Sequence, residues 1–276
     1  MFFDEFAKEV LAEDIGRGDL FEKIAKPIFA QAKIVAKSSG VLAGVVYAKS
    51  ILKYLDLEAS WYINDSDEFQ KGDIIAKIRG DSISILKSER AILNTLLHAS
   101  SIATNTKRFV DILKDTNIKI VDTRKTRPLL REFEKYAVLC GGGQNHRMGL
   151  DDCLMLKDTH LKIVDNLEDF LKKARKKIPF TSKIEVECED FNMAKRAMAA
   201  GADIVMCDNM EIEEVAKVVE FKDKNYPHIL IEVSGNITLE NIKRFKDIKI
   251  DAISSGGLIH QATWPDISMK MESIDV

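Results

Sequence analysis

Residues 118–160 read IKIVDTRKTRPLLREFEKYAVLCGGGQNHRMGLDDCLMLKDTH. The apolar run Ile118–Val121 predicts a buried strand. Arg124, Lys125 and Arg127 follow within a few residues of its end, and Arg131 lies a turn further on. Gly141-Gly142-Gly143 and Asn145-His146-Arg147 then lead to a second apolar run, Cys153–Leu156, which ends in Lys157-Asp158. Cations at the ends of two successive strands, joined through a flexible loop, make a site for a polyanion.

Downstream the pattern repeats. Apolar runs recur at Ile184–Cys188, Ile204–Cys207, Ile229–Val233 and Ile250–Ser254. Amphipathic helices are predicted between most of them, on Leu167/Phe170/Leu171/Ala174, Met193/Ala194/Ala197/Met198, Ile212/Val215/Ala216/Val219 and Leu239/Ile242/Phe245. Asn166 and Thr238 suit N-caps, and Gly201 suits a C′ position. Alternating strands and helices predict parallel strands with right-handed crossovers. The strands alternate little with polar residues, as expected when both faces are covered. The fold class is therefore α/β, and six such units favour a (β/α) barrel, complete or incomplete, over a doubly wound sheet. Neither G-x-G-x-x-G after a first strand nor G-x-x-x-x-G-K-[ST] occurs, so no dinucleotide fold or P-loop is indicated.

Upstream the texture differs. Phe2, Phe3, Phe6, Val10 and Leu11 form a helical stripe, broken by Glu13–Asp19. Short strands at Ala32–Ala36, Ala59–Ile63 and Ile74–Ile78, a helix over Gly44–Leu55 and glycine turns form a small α+β module. No lysine is presented at a hairpin tip, which argues against a biotin or lipoyl carrier. A long helical pattern covers Lys87–Leu113, with Ser88-Glu89-Arg90 near its start.

The 276 residues carry a net charge of −3, so an anion site must be a local cluster of Lys and Arg. No basic stripe with interleaved aromatics points to nucleic acid. No apolar run approaches the roughly 20 residues that span a bilayer. The N-terminus is acidic and amphipathic, unlike a signal peptide. Cys140, Cys153, Cys188 and Cys207 show no C-x-x-C spacing, three of them lying in apolar, strand-like segments. They read as reduced small hydrophobes of a cytoplasmic protein.

In such a barrel chemistry gathers at the C-terminal ends of the strands. Those ends offer Thr123-Arg124-Lys125, Lys157-Asp158, Glu187 or Glu189, Asp208-Asn209, Ser234-Gly235-Asn236 and Ser255-Gly256-Gly257. The first two groups are cationic and the next two acidic. The last two are short turns whose free backbone N–H groups suit a phosphate. A carboxylate pair such as Glu187 and Asp208 suits Mg²⁺, which keeps waters and bridges to substrate phosphates.

Asp122–Thr126, Glu134-Lys-Tyr136, Asn145–Leu150, Lys157-Asp158, Glu185-Val-Glu187, Asp208-Asn209 and Ser234-Gly235, with Glu13–Asp19 and Glu89-Arg90…Leu93-Asn94 upstream, together resemble the quinolinate phosphoribosyltransferase family over nearly the whole chain. The resemblance implies an N-terminal α/β sandwich domain over 1–113 and an open (β/α) barrel of six to seven parallel strands over 114–264, with a tail at 265–276 that returns to the first domain. It implies transfer from phosphoribosyl pyrophosphate to quinolinate, with decarboxylation, giving nicotinate mononucleotide, pyrophosphate and CO2 in de novo NAD biosynthesis. It implies Mg²⁺ as cofactor, met by Glu187 and Asp208 through water or pyrophosphate. It implies a head-to-tail homodimer sharing its active sites and leaves a hexamer open.

Carried over by position, Arg90, Arg124, His146, Arg147 and Lys157 surround the quinolinate carboxylates, Arg90 coming from the partner subunit. Thr123 lines the substrate site. Lys125 faces phosphoribosyl pyrophosphate, Glu187 and Asp208 serve ribose and pyrophosphate, and Ser234-Gly235-Asn236 and Ser255-Gly256-Gly257 hold the 5′-phosphate. Lys125, Lys157, Glu187 and Asp208 are the catalytic candidates. The phosphate loops depart from the family, Asn236 and Ser255-Gly256-Gly257 replacing the expected Gly and Val-Gly-Ala pattern. Two alternatives are a molybdate-transport-associated paralogue and a silent sensor of phosphoribosyl pyrophosphate. Arg90 and His146-Arg147 argue against the first, and a dicarboxylate clamp against the second.

Overall fold

The computed structural model describes residues 3–272. Phe2 of the N-terminal stripe and the last four residues of the expected returning tail lie outside the described residues. In chain order the elements are α1 (Phe3–Ile15), β1 (Phe29–Ala36), β2 (Gly40–Val41), α2 (Val45–Tyr54), β3 (Glu58–Trp61), β4 (Glu68–Phe69), β5 (Ile74–Asp81) and α3 (Ser82–Ile112). Next come β6 (Lys119–Val121), α4 (Arg131–Cys140), β7 (Leu154–Leu156), α5 (Asp158–Leu161), α6 (Leu167–Arg175), β8 (Ile184–Cys188) and α7 (Phe191–Ala199). The rest are β9 (Ile204–Asp208), α8 (Ile212–Asn225), β10 (Leu230–Ser234), β11 (Ala252–Ser254), α9 (Gly257–His260) and β12 (Ile267–Met271). Among the described residues no helix is long and apolar enough to cross a membrane.

The chain forms two units, one of residues 1–107, 127–142 and 261–276, the other of 108–126 and 143–260. In the first, an antiparallel sheet runs β12-β1-β5-β3. On β1, Ala30, Ala32, Ile34 and Ala36 are buried while their neighbours are not fully so, the period-2 signature of a sheet with one packed face. The tail's β12 pairs with β1, Ala32 opposite Met271. Residues 127–142, expected within the barrel domain as a flexible loop, carry α4 and belong to this first unit. The cause is aromatic packing: Phe133 stacks on Phe6 at 5.2 Å and meets Tyr47 edge-on at 4.9 Å. Offset and edge-on aromatic pairs add to the burial of apolar area.

In the second unit six parallel strands run β6-β11-β10-β9-β8-β7. Chain neighbours from β7 to β11 pair in turn, and the last strand returns to the first through Ser254 opposite Val121. The cycle is open between β6 and β7, where Gln144 makes only an isolated bridge to Val121. This is an open parallel barrel.

Side-chain parity sorts its residues. Val186, Cys188, Val205, Cys207, Ile231, Val233 and Ile253 share one parity and are almost wholly buried. That is the face covered by crossover helices. Burial raises the Cys207 thiol to about 12, with Glu214 of α8 adding to it, which marks an inert cysteine under a helix. The opposite parity carries Glu185, Glu187, Asp208, Glu232 and Ser234, and points inward. Cys153 lies just before β7 rather than within it.

Asn166 and Gly201 act as their types predict. The Asn166 side chain accepts from the Asp169 N–H at 3.0 Å, and Gly201 takes φ +90° just after α7. The expected helix over Leu239–Phe245 is instead a single 3₁₀ turn, Ile242–Phe245. Asn241 competes for the backbone there: its Nδ2 donates to Asn236 O at 2.8 Å and its Oδ1 accepts from Thr238 N at 2.9 Å.

Candidate active site

At the mouth of the second unit the end of β6 forms a tight turn, with Lys125 N donating to Thr123 Oγ1 at 3.0 Å. Arg124 is half-buried and Lys125 exposed. The Lys125 chain lies over the last loop: a Cβ built on Gly256 would stand 2.8 Å from Lys125 Cδ and 3.3 Å from the His260 ring. Gly256 therefore permits the close approach. Ser255 Oγ accepts from Gly257 N at 3.2 Å and organises the start of α9.

The loops after β9 and β10 are knitted together. Asn209 N donates to Ser234 O at 3.0 Å, and Asn236 Nδ2 donates to Asn209 Oδ1 at 3.1 Å. Asn209 and Asn236 have φ of +53° and +48°, a region that Asn tolerates better than most residues. Gly235, at φ +92°, leaves no room for a Cβ against Asn209. Asp208 accepts from Asn209 Nδ2 at 2.8 Å. Across β7 and β8, Lys157 Nζ donates to Glu187 Oε2 at 2.7 Å, and the Glu187 side chain is only 10% exposed.

Beneath these groups Asn145-His146-Arg147 is clamped by buried carboxylates. Asp122, wholly buried, accepts from His146 N at 2.8 Å and from Asn145 Nδ2 at 2.6 Å. His146 Nε2 lies 3.1 Å from Glu185 Oε2 and 3.3 Å from Glu232 Oε2, and its Nδ1 accepts from Arg147 N at 2.7 Å. Arg147 is buried and its Nη1 donates to Cys153 O at 3.0 Å. Burial opposes a charge on the His146 ring, whereas the Glu185 and Glu232 hydrogen bonds pull its pKa upward. The Arg147 N–H occupies the Nδ1 lone pair at 2.7 Å, so the geometry holds the ring neutral with its one proton on Nε2. Burial also raises Glu185, partly offset by its hydrogen bond to His146. The three ligand-type atoms lie within 4.8 Å of one another, and the two from His146 to the carboxylates are hydrogen-bond distances.

The structure thus brings Lys125 onto the last glycine turn, Lys157 onto Glu187, and Asp208 beside Asn209, which in turn meets Gly235 and Asn236. Arg90 belongs to the first unit, on α3, with its side chain 56% exposed and Nη2 on Glu89 Oε1 at 2.6 Å. Asp122, Glu185 and Asn209 stood in the expected motifs without a role of their own, and Glu232 was not singled out. Asp122, Glu185 and Glu232 hold the Asn145–Arg147 loop, and Asn209 shapes the turn after β10.

An open barrel whose strand ends bring together cations, carboxylates and glycine turns has the donor set that suits ligands rich in phosphate and carboxylate. Family models for the quinolinate phosphoribosyl transferase N-terminal and C-terminal domains match residues 19–100 and 102–270. A Bacillus subtilis relative described as "Probable nicotinate-nucleotide pyrophosphorylase (carboxylating)" is 42% identical over 94% of this chain and 90% of its own. The human nicotinate-nucleotide pyrophosphorylase (carboxylating) is 36% identical over 89% and 84%. The crystal structure of NadC from Streptococcus pyogenes superposes with a TM-score of 0.93 at 39% identity, covering 99% of this chain and 97% of that one. This chain belongs to the quinolinate phosphoribosyl transferase family.

Proposed function

We propose that this enzyme transfers the phosphoribosyl group of phosphoribosyl pyrophosphate to the nitrogen of quinolinate. The products are nicotinate mononucleotide, pyrophosphate and CO2, a step of NAD biosynthesis. The observation that carries the reading is the seating of Lys125 against Gly256, which joins the cationic end of β6 to the turn suited to a 5′-phosphate. Arg124, Arg147 and Lys157, with the partner subunit's Arg90, surround the two carboxylates; His146, whose two ring nitrogens are already bonded, stands behind Arg147, and Thr123 shapes the turn beneath them. Cations offset the repulsion between a dianion and a more highly charged co-substrate, and hold the nitrogen in line with the ribose. Ser234-Gly235-Asn236 and Ser255-Gly256-Gly257 hold the 5′-phosphate.

The pyridine nitrogen attacks the anomeric carbon as the bond to pyrophosphate breaks. Glu187 and Asp208 stabilise the oxocarbenium-like charge that develops on the ribose. The ribosylated nitrogen is cationic and draws in the electrons of the adjacent carbon–carboxylate bond. CO2 leaves, and the ring carbon takes a proton. Lys157 and Arg147 hold the other carboxylate meanwhile. No covalent nucleophile is required.

Glu187 and Asp208 are hard oxygen donors of the same inward parity on adjacent strands, which fits Mg²⁺. Lys157 already occupies one Glu187 oxygen, so contact through water or pyrophosphate suits the pair better than a full protein cage. Mg²⁺, when bound, neutralises charge on the leaving pyrophosphate. The shared site requires a homodimer, with a hexamer as a further assembly. Four free cysteines, three of them buried, support a reducing compartment, the cytoplasm.

The test is an assay of the purified chain with quinolinate, phosphoribosyl pyrophosphate and Mg²⁺. Nicotinate mononucleotide and CO2 are expected in equal amounts, with turnover abolished by chelator and restored by Mg²⁺. Binding of phosphoribosyl pyrophosphate with no turnover of quinolinate would overturn the reading in favour of a sensor.

A further inference from the structure

Three buried carboxylates have no part in the bond-making proposed above, yet all converge on one tripeptide. Asp122 takes the His146 N–H and the Asn145 amide at the end of β6. Glu185 on β8 and Glu232 on β10 take the Nε2 side of the His146 ring from two strands. The Nδ1 side of the ring holds the Arg147 N–H. Glu185 Oε1 and Glu232 Oε1 are buried without a hydrogen-bond partner. Burying two carboxylates beside one ring N–H, each with an oxygen left unpaired, is costly. A complete set of ring and carboxylates could be replaced by apolar side chains at little cost, so stability alone does not account for it.

We infer that Glu185 and Glu232 are positioning residues: they anchor the His146 ring and, through its Nδ1, the backbone of Arg147, so that the cation-bearing loop is held rigid at the quinolinate site. Asp122 holds the same loop through its backbone and Asn145. The inference rests on the proposed reading of this unit as a quinolinate enzyme. A loosened loop would misplace Arg147 without disturbing Lys125, Ser234 or Gly256, so the loss should fall on quinolinate and spare phosphoribosyl pyrophosphate.

Glu232→Leu and Glu232→Gln, assayed beside wild type, test it. Glu232→Leu, assayed well below its own melting temperature, should show KM for quinolinate raised by on the order of 10²-fold, the cost of a misplacement near 1 Å. KM for phosphoribosyl pyrophosphate should stay close to wild type. Glu232→Gln keeps an acceptor for the ring N–H and should restore quinolinate KM. Nitrogen NMR of wild-type His146 should show a protonated Nε2 and an acceptor Nδ1, a signature independent of whether the leucine variant folds. Unchanged quinolinate KM in Glu232→Leu, a parallel loss for both substrates that tracks melting, or a ring averaging between tautomers would overturn the positioning role. Absence of turnover in wild type would instead sink the functional reading, and this inference with it.

Discussion

Replacing Glu187 by Gln separates what its contact with Lys157 does for the fold from what the carboxylate does for the reaction. At the 2.7 Å separation, Coulomb's law gives about 1.5 kcal/mol at a dielectric of about 80 and about 6 kcal/mol at about 20. The lysine side chain is 44% exposed, so the water-like end applies. Side-chain entropy and screening bring the net value to about 1 kcal/mol or less. Gln also keeps an acceptor for the lysine. The melting temperature should therefore fall by no more than about 2–4 °C. The reaction should suffer far more, because an amide cannot offset positive charge on the ribose, and a loss on the order of 10²–10³ in kcat is expected. Differential scanning calorimetry and steady-state assay of nicotinate mononucleotide formation read the two effects. Activity near wild type, or a kcat loss no larger than the unfolded fraction explains, would refute the assignment.

Mixing Arg90→Ala with Arg124→Ala protomers should recover activity that neither variant has alone, since one site of each mixed dimer escapes both changes; no recovery would argue for sites built within one chain. Gly235→Ala should raise KM for phosphoribosyl pyrophosphate, because φ +92° and the approach of Asn209 leave no place for a methyl group; steady-state kinetics would show it. Burial raises Glu134, but hydrogen bonds from His98 and Arg127 outweigh it and hold its carboxyl below the ordinary 4.5. Its contribution to stability is present above that ordinary value and is lost as pH falls through the depressed one. Glu134→Gln should therefore flatten the acid limb of a stability-against-pH curve.

The barrel was legible because its outward positions, such as Val186, Val205, Ile231 and Ile253, are apolar throughout and leave strands visible as runs. The cations and turns of the site were legible because they stand just past those runs. Glu185 and Glu232 were harder to read, since a carboxylate inside a strand has no end to mark it. A signal existed all the same: each is flanked by residues that must be buried, Ile184 and Val186 for one, Ile231 and Val233 for the other. A buried charge needs a partner. The α4 pattern, with Phe133, Ala137 and Val138 buried along one side, was hidden among cations and glycines that suggested a loop. The Leu239–Phe245 periodicity misled because periodicity does not register the side-chain competition of Asn241.

The central claim is that cations at these strand ends bind a doubly acidic pyridine. Isothermal titration calorimetry of quinolinate against wild type and Arg124→Ala measures it directly. Wild type should bind, and Arg124→Ala should lose binding while melting at the wild-type temperature. Equal affinity in the two proteins would contradict the account.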